Sequence, residues 1–237
     1  LRYLPPGALN GDLVDVQPEQ ITEDLRHSYF ADEYSGRSPT EGETEPDYDK
    51  EDAYSWAKAP RLGGEPYEVG PLARWLVAYT AGDEKVTGPV DDLLSTLDAG
   101  PEVLQSTLGR HAARALETKL IADAMRDWVM QLEPGEPVCA DYEMPTEGSG
   151  TGMVGGPRGA LLHHVDIEDG LISRYQLVVP TTWNVSPRDD SDVPGPIEQA
   201  LLGTEVHDEE NPYELVRIAR SFDPCLACAV HVVDGRD

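Results

Sequence analysis

The sequence predicts an α+β fold, mainly helical, in which a long-helix bundle carries a small antiparallel sheet or hairpin. Two patterns carry this expectation. Over residues 101–132 the side chains of Val103, Leu104, Leu108, Ala112, Ala115, Leu116, Leu120, Ala124 and Trp128 recur at three- and four-residue spacing, as in one long core helix. Further on, residues 160–166 and 171–179 read as two strands around the turn sequence Glu168-Asp169-Gly170.

Residues 1–70 form a loop-rich segment of Pro, Gly, Tyr and acids, with 41–47 as an exposed turn and one short helix expected within 21–29. A helical segment spans 71–132. Its first helix opens with Pro71 in the first turn and carries Leu72, Leu76 and Tyr79 on one stripe, and a second is expected at 90–97. Segment 140–190 holds the two strands behind a glycine-rich stretch, Gly148 to Gly156, read as a loop. That stretch lacks GxxxxGK[ST] and precedes a strand, which argues against a phosphate cradle. Segment 191–231 has short helices at 196–202 and 209–218, the latter leading into a cysteine cluster.

Eighteen basic residues against forty-five acidic ones leave a net charge of −27. Nucleic acid and anionic membrane surfaces need basic patches, so neither is an expected partner. An acid-rich surface of this kind suits high salt, where screening removes the self-repulsion, and a halophilic protein is expected. Cys139, Cys225 and Cys228 are too few for a disulfide scaffold, and Cys139 reads as a plain thiol. There is no run of 18 apolar residues and no signal peptide, and a chain opening on Leu1 reads as a fragment.

The chemistry concentrates at the C-terminal end. Cys225-Leu226-Ala227-Cys228 with His231 three residues on puts two thiolates and an imidazole within a turn or two of backbone. Soft thiolates suit zinc, nickel, iron or copper(I) rather than magnesium or calcium. One pair gives only two ligands, and His27, His111, His163, His164 and His207 make no second paired motif. A closed zinc site is disfavoured, and no βαβ setting supports a thioredoxin-like pair. The site therefore needs completion by another part of the protein or another chain. Arg110, His111 and Arg114 read as structural, and the acidic run 41–52 as a solvated face.

Residues 221–231, with Asp223-Pro224-Cys225 and the later Cys228 and His231, resemble the DPCxxCxxH signature of the large, catalytic subunit of nickel-iron hydrogenases. Four further stretches resemble that family in the same order: 54–61 with 68–74 (YSWAKAPR, EVGPLAR), 106–114 (STLGRHAAR), 157–161 (PRGAL), and 178–184 with 186–189 (VVPTTWN, SPRD). The likeness is greatest to the membrane-associated uptake group.

The resemblance implies a hydrogenase large-subunit-like partial fold, covering the C-terminal portion, and heterolytic H2 oxidation or production at a Ni-Fe(CN)2CO centre. Cys225 matches the terminal thiolate that accepts the proton and Cys228 a thiolate bridging to iron. Arg158 matches the guanidinium over the open site, where a fixed cation acts in a low dielectric. Thr181 and the backbone at Pro180 match the donors to the iron's cyanides. His231 and the carbonyl of Leu177 match ligands of a Mg2+ ion. The implied partners are an iron-sulfur small subunit that takes the electrons, the N-terminal half of the large subunit with the second cysteine pair, a maturation protease that removes 232–237, and a membrane cytochrome b. The implied location is membrane-associated on the extracytoplasmic side, through the small subunit's signal. Two departures stand out: no RxCGxC pair occurs, and Gly155-Gly156 precede Pro157 where Glu-Ala is expected. The alternative reading is a non-catalytic hydrogenase-like assembly subunit or a zinc-binding interaction module.

Overall fold

The structure, a computed structural model, describes residues 8–9, 13–14, 16–137, 139 and 141–229. Strand β1 (Ala8–Leu9) pairs antiparallel with β2 (Leu13–Val14). Strand β3 (Ile21–Asp24) pairs antiparallel with β4 (Ala59–Leu62), Ile21 lying opposite Leu62. The helix expected within 21–29 is therefore a strand at its start. Ile21, Glu23 and Leu25 are buried in alternation, which is period-two burial, and the β-branched pair Ile21-Thr22 favours extended backbone. The loop from β3 to β4 is tied down by Lys50, whose Nζ donates to the carbonyls of Leu25 (2.6 Å) and Phe30 (2.8 Å).

Three helices form one layer. Helix α1 (Pro71–Thr80) begins at Pro71 as its sequence dictates. Helix α2 (Glu84–Leu97) starts six residues before the expected 90, because Asp83 caps it by accepting the Lys85 N–H at 2.9 Å and Pro89 is tolerated inside. The single helix expected over 101–132 divides. A 3-10 turn at Pro101–Leu104 ends at Gln105, and α3 (Thr107–Met130) starts anew with Ser106 accepting the Gly109 N–H at 3.0 Å. Gly109 permits this fold-back, since a Cβ there would lie 1.9 Å from the Leu104 carbonyl oxygen. Leu72, Trp75, Val86, Val90, Leu94 and Ala113 form the core between the helices, and Leu104 caps it.

The glycine-rich stretch is a strand rather than a loop. β5 (Gly148–Gly156), β6 (Gly159–Glu168) and β7 (Leu171–Val178) make one antiparallel sheet in that order, the last two being the expected hairpin. The inner face contributes Leu162 and Val178 to a second core with Ile21, Leu62, Tyr67, Val69 and Trp183. Four short helices follow: α4 (Pro180–Asn184), α5 (Pro196–Leu201), α6 (Tyr213–Ser221) and α7 (Leu226–Ala229). Helix α6 begins after Pro212, later than the expected 209, since Pro is disfavoured inside a helix but suits its start. The α+β class stands, but the expected long-helix bundle reduces to one long helix with two others packed on it.

Arg61 is wholly buried and joins β4 to the stretch before α5. Its Nε donates to Asp189 Oδ2 at 2.8 Å and its NH2 to the Val193 carbonyl at 3.0 Å. Burial alone pushes the Asp189 acid upward, but hydrogen bonds from Arg61 and from the Val193 and Ser191 N–H groups, with the Arg61 charge, outweigh it and hold the group below its ordinary 3.8. A depressed folded value means stability that is present above 3.8 and lost as pH falls through the folded value. Asp189→Asn is expected to cost about 3 kcal/mol at neutral pH by stranding a buried guanidinium. In denaturant titrations the gap to the parent closes as acid protonates Asp189; a gap that is absent at pH 7, or widens in acid, contradicts the assignment.

Candidate metal centre

Three separated segments meet beneath the cysteines. Asn184, in the last turn of α4, brackets the backbone of Val69: its Oδ1 accepts the Val69 N–H at 3.0 Å and its Nδ2 donates to the Val69 carbonyl at 2.8 Å. The turn between β5 and β6 closes on the same strap. Gly159 has φ +139°, and a Cβ there would lie 2.8 Å from the Gly70 nitrogen. Gly70, at φ +134°, faces the Arg158 carbonyl in turn.

From this platform two side chains reach the cysteine segment. Thr181 Oγ1 accepts the Cys225 N–H at 3.1 Å from the first turn of α4, where the hydroxyl is buried. Arg158 Nε donates to the Asp223 carbonyl at 3.1 Å and pairs with its carboxylate at 3.3 Å. That pair is half-exposed and worth little as a salt bridge, so its effect is to set direction rather than stability. Asp223 takes φ +53°, a left-handed turn that Asp tolerates, and it swings the chain into Cys225.

The two sulfurs lie 3.0 Å apart, with Cys228 Sγ donating to Cys225 Sγ. That hydrogen bond first, and the Arg158 charge among lesser causes, holds the Cys225 thiol below its usual value. Donating the same bond, together with burial, pushes Cys228 up. Thiolate is the form that ligates metal.

Upstream, α3 holds the approach. The Arg110 guanidinium grips Glu68 through two bonds of 2.8 Å and stacks 3.8 Å over the Phe222 ring, while Arg114 donates to the Ser221 carbonyl at 3.1 Å. Their structural reading from sequence is thus given partners.

Of the sequence-predicted residues, Cys225, Cys228, Arg158 and Thr181 come together. Pro180 opens α4 beside Thr181, but a proline has no N–H, so the backbone donor expected there is unavailable and Thr181 is the polar group of that turn. Leu177 lies on β7, three residues earlier. His231 falls outside the described residues. Cys139 is an exposed free thiol after α3. Among the described residues no three His, Cys, Asp or Glu side chains gather as a metal site. Sequence reasoning gave no individual role to Asn184, Ser221 or Phe222, although all three lie in the stretches 178–184 and 221–231 that carry the resemblance.

Two cysteine sulfurs 3.0 Å apart beside a guanidinium make a candidate pair of metal ligands. Residues 2–231 match the family described as nickel-dependent hydrogenase, and the chain belongs to that family. It is 40% identical to the uptake hydrogenase large subunit of Bradyrhizobium diazoefficiens, covering 99% of this chain and 46% of that protein. It is equally identical to the hydrogenase-1 large chain of Escherichia coli (strain K12), covering 99% and 45%. The [NiFeSe]-hydrogenase of Desulfomicrobium baculatum superposes with a TM-score of 0.84 at 40% identity, covering 96% of this chain and 48% of that one. The chain thus spans about half the length of the curated relatives it matches.

Thr181→Val keeps shape but leaves the Cys225 N–H without its acceptor. It is expected to lower stability by about 1 kcal/mol and weaken Ni2+ or Zn2+ binding by roughly tenfold or more in a chelator competition. Unchanged metal affinity contradicts a holding role for Thr181.

Proposed function

We propose that this chain is the C-terminal portion of the catalytic subunit of a nickel-iron hydrogenase, acting on H2 and passing electrons to an iron-sulfur small subunit. The observation that carries the reading is the convergence of Cys225, Cys228, Arg158 and Thr181 in a chain of this family. Two sulfurs at this separation fit one half of a four-thiolate cradle, and the remainder of the large subunit supplies the other two. When bound, the Ni-Fe(CN)2CO centre supplies the electrophile that polarises H2 and the redox capacity for two electrons.

The residues of this chain do the rest. Cys225 matches the terminal thiolate of the family and would be the base that accepts a proton from H2 once the centre is bound. The Arg158 guanidinium, fastened to Asp223, provides fixed positive charge beside that sulfur and favours its anionic form. Cys228 would be the second thiolate to hold the centre, and Thr181 keeps the Cys225 backbone in position. The carbonyl of Leu177 and the ring of His231 are the proposed Mg2+ ligands. The small subunit's clusters would accept the two electrons, and a cytochrome b would receive them in turn. The small subunit, a maturation protease acting on 232–237 and a membrane-associated, extracytoplasmic placement belong to the same reading. No helix among the described residues is long and apolar enough to cross a membrane, which fits attachment through a partner.

Cys225→Ser and Cys228→Ser are each expected to abolish nickel retention and H2 uptake in the assembled enzyme, and Cys139→Ser to leave both near the parent level. Metal analysis with nickel and iron supports the proposal; zinc alone, or activity surviving either of the first two substitutions, sinks it. The charge of −27 yields a separate expectation: the melting temperature rises between dilute buffer and molar salt, and a flat profile removes the proposed halophily.

A further inference from the structure

Among the described residues, only one face of the β5–β6–β7 sheet is covered by a core. Cross-strand partners share a face. Leu162 opposite Val178 points inward with His164 opposite Gln176, all buried. The alternate set consists of Val154 opposite Leu161, His163 opposite Leu177 and Val165 opposite Tyr175. On that outer face Val154 is 59% exposed, Tyr175 46% and Leu177 43%. In a chain with forty-five acids, none of these six positions carries a carboxylate, a Lys or an Arg. A half-solvated antiparallel sheet normally alternates apolar inward and polar outward, and a contiguous uncharged face marks a contact surface.

The face is also made ready for burial. His163 and Tyr175 stack with centroids 5.6 Å apart, and the His163 Nδ1 and Tyr175 hydroxyl hydrogen-bond to each other. His163 Nδ1 and the Tyr175 hydroxyl thus satisfy one another, which lowers the desolvation cost of covering them.

We propose that the outer face of this sheet is the seam against which the remainder of the hydrogenase large subunit packs. This rests on the proposed function above. The relatives are about twice as long as the part matched here, so a partner of domain size is missing from this chain alone. The same β7 runs within two residues into α4, whose Thr181 holds Cys225, so a body seated on the sheet lies next to the half-set of thiolates it must complete. An uncharged apolar face also fits a permanent partner better than a transient one, whose patches are more polar.

The test co-expresses the tagged chain with the stretch of the Bradyrhizobium diazoefficiens large subunit outside the matched part, under metal-free conditions. A stoichiometric complex is expected in sedimentation, with slowed amide exchange over 148–178. The double variant Val154→Glu with Val165→Glu is expected to keep the melting temperature of the isolated chain but to weaken capture by at least about tenfold. Charges at the aligned positions of the intact Bradyrhizobium subunit are expected to lower its melting temperature. The proposal is overturned by undiminished capture of the double variant, by no slowing of exchange in the sheet, by self-association of the isolated chain through the same strands, or by a charged intact subunit as stable as its parent. Because the readout is assembly, a complex that forms yet takes up no nickel counts against the hydrogenase reading and leaves the seam standing.

Discussion

The structure hangs on the approach of Val69-Gly70 to Gly159 and Asn184. Val69 gives both of its backbone polar groups to one side-chain amide, which ties the entry to α1 to the end of α4. Two glycines then allow the β5–β6 turn to lie against that strap at a distance no side chain would permit. The consequence is geometric. Arg158 is the neighbour of Gly159, and Thr181 sits three residues before Asn184, so the two groups that touch the cysteine segment are anchored to the same contact. Support of this kind fixes the aim of the two cysteine side chains. Replacing either glycine moves backbone rather than a side chain, so the error is passed directly to the site.

Charge is distributed with a similar logic. The chain has few cations, yet Arg61, Arg74, Arg110 and Arg174 all turn inward and join distant segments. Arg74 binds Glu117 of α3 and the carbonyls of Gly156 and Pro157, connecting two helices to the turn that carries Arg158. Arg174 on β7 reaches Glu43 and the carbonyls of Pro39 and Thr40. A planar fork with several donors suits such multi-partner sites, where a lysine has only a point charge. The acids left over face solvent, so ionic strength acts mainly on the surface and little on the buried pairs.

What was legible in the sequence follows from which signals are local. The α1 start at Pro71, the β6–β7 hairpin around Asp169-Gly170 and the Cys225–Cys228 pair are set by neighbouring residues, and each is where the pattern put it. The β5 strand was missed because five of its nine residues are glycine, which erases alternation; its register is imposed by β6. Strand β3 was mistaken for a helix although Ile21, Glu23 and Leu25 alternate, because a buried Glu23 does not look like a core residue. Lys58 pairs with it at 3.1 Å, and burial, the larger effect, still raises its acid above the ordinary range. Asn184 stands in a matched stretch, but its role was hidden because its partner lies 115 residues away.

The division of the 101–132 helix shows a limit of periodicity itself. Apolar spacing of three and four residues continues through the 3-10 turn, because Leu104 reaches the same core as Ala113 from the other side of a break at Gln105. Only Ser106 and Gly109, a cap and a close approach, record the discontinuity. Along the rest of α3 apolar and charged side chains share the surface: Ala113 packs inward while Leu108, Met125, Val129 and Met130 are exposed among Lys119, Asp123, Arg126 and Asp127. A mixed surface of this kind does not tell how many layers cover the helix. Here one layer is supplied by α1 and α2, so the regular pattern over 101–132 reported a helix correctly and said nothing of how many bodies were needed to bury it. The same limit holds for the cysteine pair: the local spacing put two sulfurs together, and among the described residues no further His, Cys, Asp or Glu gathers with them as a metal site.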